Sequence, residues 1–251
     1  MQSLNVYHSQ SKEYEDAFKF YLEHSNEKIK THEWLNQLVK RLPSRQLMVD
    51  AGAGYGLTTA LFTDYFAQSI AVEPNDSFIE QLKKNCPTVE VQHRTILEAD
   101  LPSGSADLVL CLHVFYHIVQ EEWMTNLEKL ASWLSPNGVL VVAMANHESQ
   151  CMKIYESFYN IEADLSALAR TFEQQKADEY DVVVETIPLN VRAHSFQDAY
   201  VLAEFMLNPP PTPLPPTRRR VEEYVRQYFT CPDGGYCFSC DQVLLQIRRR
   251  A

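Results

Sequence analysis

The sequence predicts an α/β fold built on a doubly wound, mostly parallel sheet. Three observations predict it. Three of the seven glycines fall within five residues, at Gly52, Gly54 and Gly56. An apolar strand pattern, 46–50, precedes them, and a helical pattern, 57–67, follows, with Leu57, Ala60, Leu61 and Tyr65 on one face. Strand and helix patterns then alternate as far as residue 144.

The elements read as follows. Residues 13–42 are helical, with Tyr14, Phe18, Tyr21 and Leu22 on one apolar face. Ser25 or Asn26 caps a second helix there, whose buried side is Ile29, Trp34, Leu35 and Leu38. Strand 46–50 leads to helix 57–67. Strand 69–73 leads to helix 76–84, capped by Asp76. Strand 89–92 leads to an irregular stretch ending near Pro102. Strand 108–113 leads to helix 121–133. Ser135 to Gly138 reads as a turn before strand 139–144. Beyond 146 the alternation breaks. Two helices occupy 149–176, a strand 181–187, and a helix 196–207. The proline run 208–216 reads as a polyproline II spacer. Thr217 caps helix 218–228, and 240–247 is a closing strand. Three segments result: an N-terminal helical segment 1–44, a ligand-binding core 45–146, and a third segment 147–251 of inserted helices and closing strands. Together they form one domain.

The spacing of the glycines narrows the ligand. A dinucleotide fingerprint is G-x-G-x-x-G with a phosphate over the helix N-terminus. Here the third glycine comes one residue early, and Asp50 stands two residues before the first. A carboxylate repels a pyrophosphate and attracts a cation. Seventeen residues after Gly56, the strand 69–73 ends in Glu73. That is near the spacing expected of a ribose-binding acid. A cationic nucleoside without phosphate fits this set, and S-adenosylmethionine is one. A nicotinamide cofactor is disfavoured on the same grounds.

The order Val49 to Gly56, Val72-Glu73-Pro74, Leu101 to Leu110 and Leu134 to Val142 resembles the class I S-adenosylmethionine-dependent methyltransferases. The resemblance covers 46–146. It implies a seven-stranded sheet in which 181–187 and 240–247 form the closing pair. Tyr14 to Glu27 is similar to the opening helices of the histamine N-methyltransferase family. That likeness implies a helical lid over the donor site, with Glu27 holding an acceptor amine, His113 touching the acceptor, and Tyr116 and His117 forming an aromatic wall. The family's asparagine in the last strand falls near Cys240, a departure that counts against histamine itself.

The expected donor contacts are Tyr14, Asp50, Gly52, Gly54, Glu73, Thr95, Ile96, Leu112 and His113. The expected acceptor contacts are Glu27, His113, Tyr116, His117 and Tyr155. Glu27 would orient the amine, and His113 or His117 would serve as base, since imidazole titrates near neutral pH. Phe115, Tyr116, Tyr155, Phe158 and Tyr159 would build an aromatic pocket. The reaction expected is methyl transfer to a small molecule, on nitrogen rather than oxygen. O-methylation of a carboxylate or hydroxyl, and a catalytically silent binding module, are the alternatives.

A formal charge of −11 argues against nucleic acid as partner. No apolar run reaches membrane-spanning length, and residues 1–10 lack the pattern of a secretory signal, so a cytoplasmic chain is expected. The six cysteines therefore read as reduced thiols. Cys237 and Cys240 have C-x-x-C spacing with Cys231 nearby, but no histidine lies close enough to complete a zinc set. No metal is expected. The residues leave the oligomeric state open.

Overall fold

The structure is a computed structural model that describes residues 3–7, 11–208 and 214–250. The described chain folds as two compact units. The larger comprises residues 32–144, 165–185 and 243–251. The smaller comprises residues 1–31, 145–164 and 186–242.

The larger unit holds a seven-stranded sheet. Its strands are β1 (Leu47–Ala51), β2 (Gln68–Val72), β3 (Glu90–Gln92), β4 (Ala106–Leu112), β5 (Leu134–Ala145), β6 (Tyr180–Ile187) and, after two strands of the smaller unit, β9 (Gln242–Arg249). The spatial order is β3-β2-β1-β4-β5-β9-β6. The pairings β1–β2, β1–β4, β2–β3 and β4–β5 are all parallel. Every residue of β1 is buried, as are 106–111 of β4 and 139–145 of β5. Strands covered on both faces need apolar side chains pointing both ways, which is why these segments are nearly continuous apolar runs. The chain leaves β1 toward β2 on one side and later adds β4 on the other. The strand order therefore reverses at β1, the position where open α/β sheets bind ligands beyond their C-terminal strand ends.

Helix α2 (Glu27–Arg41) starts in the smaller unit and continues in the larger. The larger unit further contains α3 (Leu57–Phe62), α4 (Asp76–Asn85), α5 (Trp123–Ser132) and α7 (Leu165–Lys176). The smaller unit contains α1 (Lys12–His24), α6 (Gln150–Tyr159), α8 (Phe196–Met206), α9 (Arg218–Tyr228) and an antiparallel pair, β7 (Asn190–Ala193) with β8 (Tyr236–Ser239). Tyr14, Phe18 and Tyr21 of α1 gather around Phe205 of α8, with ring centroids 5.8, 6.1 and 5.4 Å from it. The apolar face read from sequence on α1 thus finds its partner there.

Several details differ from the sequence expectations. Asn75, not Asp76, caps α4: its Oδ1 accepts from Ser77 N at 3.0 Å, because the helix starts one residue earlier than the acid suggests. Helix 57–67 is shorter, since α3 tightens after Phe62 into a single 3-10 turn at Thr63–Tyr65. Ile29 is 62% exposed, and Val39 takes a place in the core with Leu35 and Leu38. Ser135 to Gly138 is no turn ahead of a strand but an excursion inside β5. Ala106 pairs with Leu134 and Leu108 with Val139, so four residues bulge out opposite one. Gly138 permits this, since a Cβ there would lie 2.3 Å from Ala106 O. Thr217 precedes α9 without a side-chain capping bond. β7 and β8 have no counterpart in the sequence reading, being only four residues each. Cys231 and Cys237 form a disulfide, which corrects the expectation of six reduced thiols; Cys86, Cys111, Cys151 and Cys240 are free and buried. The polyproline II reading falls largely on 209–213, outside the described residues.

One polar cluster anchors the sheet. Asp107, 5% exposed, accepts from Gln46 N at 2.6 Å, Ser44 Oγ at 2.8 Å and Ser135 Oγ at 2.8 Å. It joins the start of β1, the body of β4 and the excursion in β5. Burial alone would raise its carboxyl, but these hydrogen bonds outweigh burial and hold it below the usual carboxylate range. Its stabilising contribution is therefore full above the unfolded carboxylate pKa and disappears as pH falls through the lower folded value. Asp107→Asn is expected to lose about 1–3 kcal/mol at neutral pH in denaturant unfolding. The gap to the parent should close as the pH drops toward the folded pKa of Asp107; a gap that ignored pH would contradict the role given to the charge.

Candidate donor and acceptor site

The candidate site lies in the larger unit, past the C-terminal ends of β2, β1 and β4. The glycine loop follows β1. Gly52, Gly54 and Gly56 have φ of +78°, +54° and +76°, all in the left-handed region. The reasons for glycine differ along the loop. A Cβ on Gly52 would meet Val114 Cγ2 at 2.2 Å, and one on Gly56 would meet Leu82 Cδ1 at 2.5 Å and Cys86 Sγ at 2.7 Å. Those two positions are closed by packing. A Cβ on Gly54 would meet no heavy atom within 4 Å. The space over Gly54 is open, and a side chain there would fill it.

Glu73 follows β2 and reaches this open position. Its Oε2 accepts from Gly54 N at 2.7 Å and its Oε1 from Asn75 N at 2.8 Å. The residue is 4% exposed. Burial pushes its carboxyl above the ordinary glutamate range, while the two backbone donors and nearby His93 pull the other way. A carboxylate offers about four lone-pair sites. Two remain after these backbone bonds, enough to accept from a pair of vicinal hydroxyls.

Asp50 is buried inside β1 and accepts from Thr59 Oγ1 of α3 at 2.5 Å. It thus ties the strand to the helix that follows the glycine loop. Ile96 is buried; Thr95 is exposed, and its N and Oγ1 both donate to Glu98 Oε2, at 3.2 and 2.8 Å. Tyr55 in the glycine loop packs on Phe78 of α4 with centroids 4.5 Å apart. The sequence reading did not single out Thr59, Asn75, Tyr55 or Phe78. An aromatic residue inside the glycine run was the available signal for Tyr55.

On the other side of β1, Leu112 and His113 end β4. His113 has φ +60°, uncommon for a residue with a Cβ. Its N–H still donates to Ala143 O at 2.8 Å. The backbone therefore turns sharply while the sheet pairing persists. A 3-10 turn, Phe115–His117, follows. It is held by the Trp123 indole N–H, which donates to Phe115 O and Ile118 O at 3.0 Å each, and by the edge-on packing of Trp123 against Phe115. His113 and Tyr116 stack with centroids 6.1 Å apart and rings 19° from parallel. Dehydration of the ring, then the neighbouring His113 imidazole, hold His117 below the ordinary histidine range. The residue as a whole stays exposed, which limits how far dehydration carries. Below that range the ring is neutral at physiological pH and able to take a proton.

The larger unit thus gathers Asp50, Gly52, Gly54, Glu73, Ile96, Leu112, His113, Tyr116 and His117 along adjacent strand ends, with Thr95 on the loop after β3. Tyr14, Glu27 and Tyr155 belong to the smaller unit. Tyr14 sits in the aromatic group around Phe205. Glu27 is buried; its N–H donates to Ser25 Oγ at 3.0 Å, and Lys28 Nζ lies 3.5 Å from its Oε1. Burial, then Cys240 and Glu27, raise the Tyr21 hydroxyl well above the usual tyrosine range, and that hydroxyl donates to Cys240 Sγ at 3.5 Å. Tyr155 is buried and packs edge-on against Tyr159 at 5.0 Å. Phe115 is fully buried against Trp123, and Phe158 packs on Tyr224 and under Arg220. Burying a phenyl ring is favoured over lining a wet cavity with it.

The loop geometry makes a stability prediction. Gly52→Ala should lose about 2–5 kcal/mol, the sum of left-handed strain and of displacing Val114. Gly54→Ala should lose only the strain, about 1–2 kcal/mol. Equal losses in thermal unfolding would contradict the distinction between a packed and an open glycine.

Residues 49–142 match the family described as "Methyltransferase domain". Two curated relatives and two solved structures illustrate the likeness. A ubiquinone biosynthesis O-methyltransferase of Rhodopseudomonas palustris is 32% identical over 103 residues, 39% of this chain and 40% of that protein. An uncharacterized methyltransferase-like protein of Schizosaccharomyces pombe is 30% identical over 95 residues, 38% of this chain and 36% of that protein. The matches span between about a quarter and two-fifths of the length of the curated relatives. The N-methyltransferase NodS of Bradyrhizobium japonicum, in complex with S-adenosyl-l-homocysteine, superposes with TM-score 0.59 at 12% identity, covering 96% of this chain and all of that one. The YcgJ protein of Bacillus subtilis superposes with TM-score 0.60 at 16% identity, covering 88% of this chain and all of that one. Residues 49–142 thus resemble a methyltransferase domain, and the sheet that carries them has the Rossmann-like fold of the methyltransferase structures it superposes on.

Proposed function

We propose that this chain is an S-adenosylmethionine-dependent methyltransferase acting on a small molecule, with an amine nitrogen as the acceptor. One observation carries the donor half: the open left-handed turn at Gly54, with Glu73 bonded to its N–H and two carboxylate lone-pair sites to spare. When bound there, the cofactor supplies a methyl group already activated by a sulfonium. Glu73 accepts from the ribose hydroxyls, each charge-assisted bond contributing about 1.5–3 kcal/mol. The glycine loop and Asp50 give the methionine end a negative, side-chain-free surround. Ile96 would border the base, and Leu112 and His113 would border the methionine.

For the acceptor, Glu27 in the smaller unit and the His113–His117 segment in the larger are candidates read separately. A buried acid attracts and orients an amine, and the likeness of 14–27 to the histamine N-methyltransferases supports that role. The protein's task is alignment. The cofactor would supply the methyl group to the nitrogen lone pair, and neutral His117 would take the proton the nitrogen sheds. Tyr116 and Tyr155 are aromatic faces for a cationic acceptor. A second reading, O-methylation, is favoured by the matched relative that is an O-methyltransferase. The acidity of the chain supports a small acceptor over nucleic acid. Among the described residues no helix is long and apolar enough to cross a membrane.

Two outcomes follow. In calorimetry, Gly54→Ala and Glu73→Gln should each weaken S-adenosylmethionine binding at least tenfold. Donor affinity of the parent should fall as pH drops through the raised Glu73 pKa, since only the carboxylate accepts both hydroxyls, while Glu73→Gln should lose that pH dependence. A labelled-methyl assay over amines, phenols and small acids, read by mass spectrometry, should give N-methylated product that Glu27→Gln reduces at least tenfold with donor affinity intact. Product on oxygen alone, or full turnover in Glu27→Gln, would overturn the amine reading.

A further inference from the structure

In the smaller unit, away from the glycine loop in sequence, an imidazole is ringed by carboxylates. His147 lies just ahead of α6, and Glu162 and Asp164 lie in the connection from α6 to α7. Asp164 Oδ1 is 3.3 Å from His147 Nδ1. Glu148 Oε1 is 3.1 Å from Nε2, and Glu162 Oε1 is 3.7 Å from Nε2. One donor atom from each of His147, Glu162 and Asp164 falls within a 4.8 Å group. Lys153 Nζ lies 3.6 Å from Glu148.

His147 Nδ1 is shielded from water, yet makes no hydrogen bond with any described group. Asp164 is near enough but stands off the line such a bond requires. That geometry is unsuited to a proton and suited to a shared ion. Two donors each 2.0–2.1 Å from a tetrahedral ion stand about 3.3 Å apart. The Nε2 side fits as well. A metal-bound histidine passes its second N–H to a carboxylate, which fixes the tautomer, and Glu148 occupies that place.

We propose that His147, Asp164 and Glu162, whose donor atoms lie within 4.8 Å of one another, form a divalent-metal site of the zinc type, with Glu148 beside Nε2 as the positioning carboxylate. One imidazole and two carboxylates suit zinc, whereas calcium and magnesium favour all-oxygen sets. The ion would pin the 160–164 connection to the residues before α6. Its role is structural.

The test uses the full chain stripped with chelator. One Zn2+ per chain is expected by calorimetry, with affinity reduced at least tenfold in His147→Gln and in Asp164→Asn. Glu162→Gln, at an exposed side chain, should lose affinity as well. Co2+ should give d–d bands without the charge-transfer band of thiolate ligation, separating this site from the cysteines. Zn2+ affinity unchanged in all three variants, thiolate charge transfer from bound Co2+, or displacement of Zn2+ by equimolar Ca2+ would each overturn the proposal. Donor binding and methyl transfer in the chelator-treated parent report on the methyltransferase reading separately.

Discussion

The hydrogen bond from Gly54 N to Glu73 is the constraint on which the site depends. It links the tips of two neighbouring parallel strands through a backbone donor and a buried carboxylate. The acid can be there only because the turn after β1 supplies an N–H at the right height, and the turn takes that shape because its three left-handed residues lack a Cβ. Burial raises the energy of the ionised carboxyl, and two backbone donors offset part of that rise. What results is a negative group held in place before any ligand arrives, with capacity left to accept from one. Preorganisation of this kind lowers the ordering a ligand must impose.

The rest of the larger unit keeps that arrangement rigid. β1 is buried over its whole length between β2 and β4, and Asp107 ties its first residues to both β4 and β5. Past the end of β4, the left-handed His113 and the indole bond from Trp123 fix the other wall. Two walls therefore flank one open turn, each held by hydrogen bonds between buried side chains and the backbone.

Much of this was legible in the chain. Glycines spaced two apart between an apolar strand and a helix can have few backbone solutions, and an acid at the next strand end has a fixed height relative to them. Repeated strand–helix alternation left little choice of topology. Other features were illegible for physical reasons. Ser135-Pro136-Asn137-Gly138 has the composition of a turn, and only its pairing with Ala106 and Leu108 shows it bulging within a strand. Strands as short as β7 and β8 carry too few residues for a period to register. Ile29 sits at a buried-looking helical spacing but faces solvent, because Val39 completes that face instead. Composition cannot say which of six thiols meet, so the Cys231–Cys237 bond was invisible. His147, Glu162 and Asp164 are brought together by a helix and a loop, a distance in sequence at which no motif operates.

The most direct measurement is a crystal structure of the chain soaked with S-adenosylhomocysteine. The account places the ribose hydroxyls on Glu73 and the thioether chain over Gly54, between the ends of β1 and β4. Density for the nucleoside elsewhere, or a Glu73 side chain turned away from both hydroxyls, would contradict it.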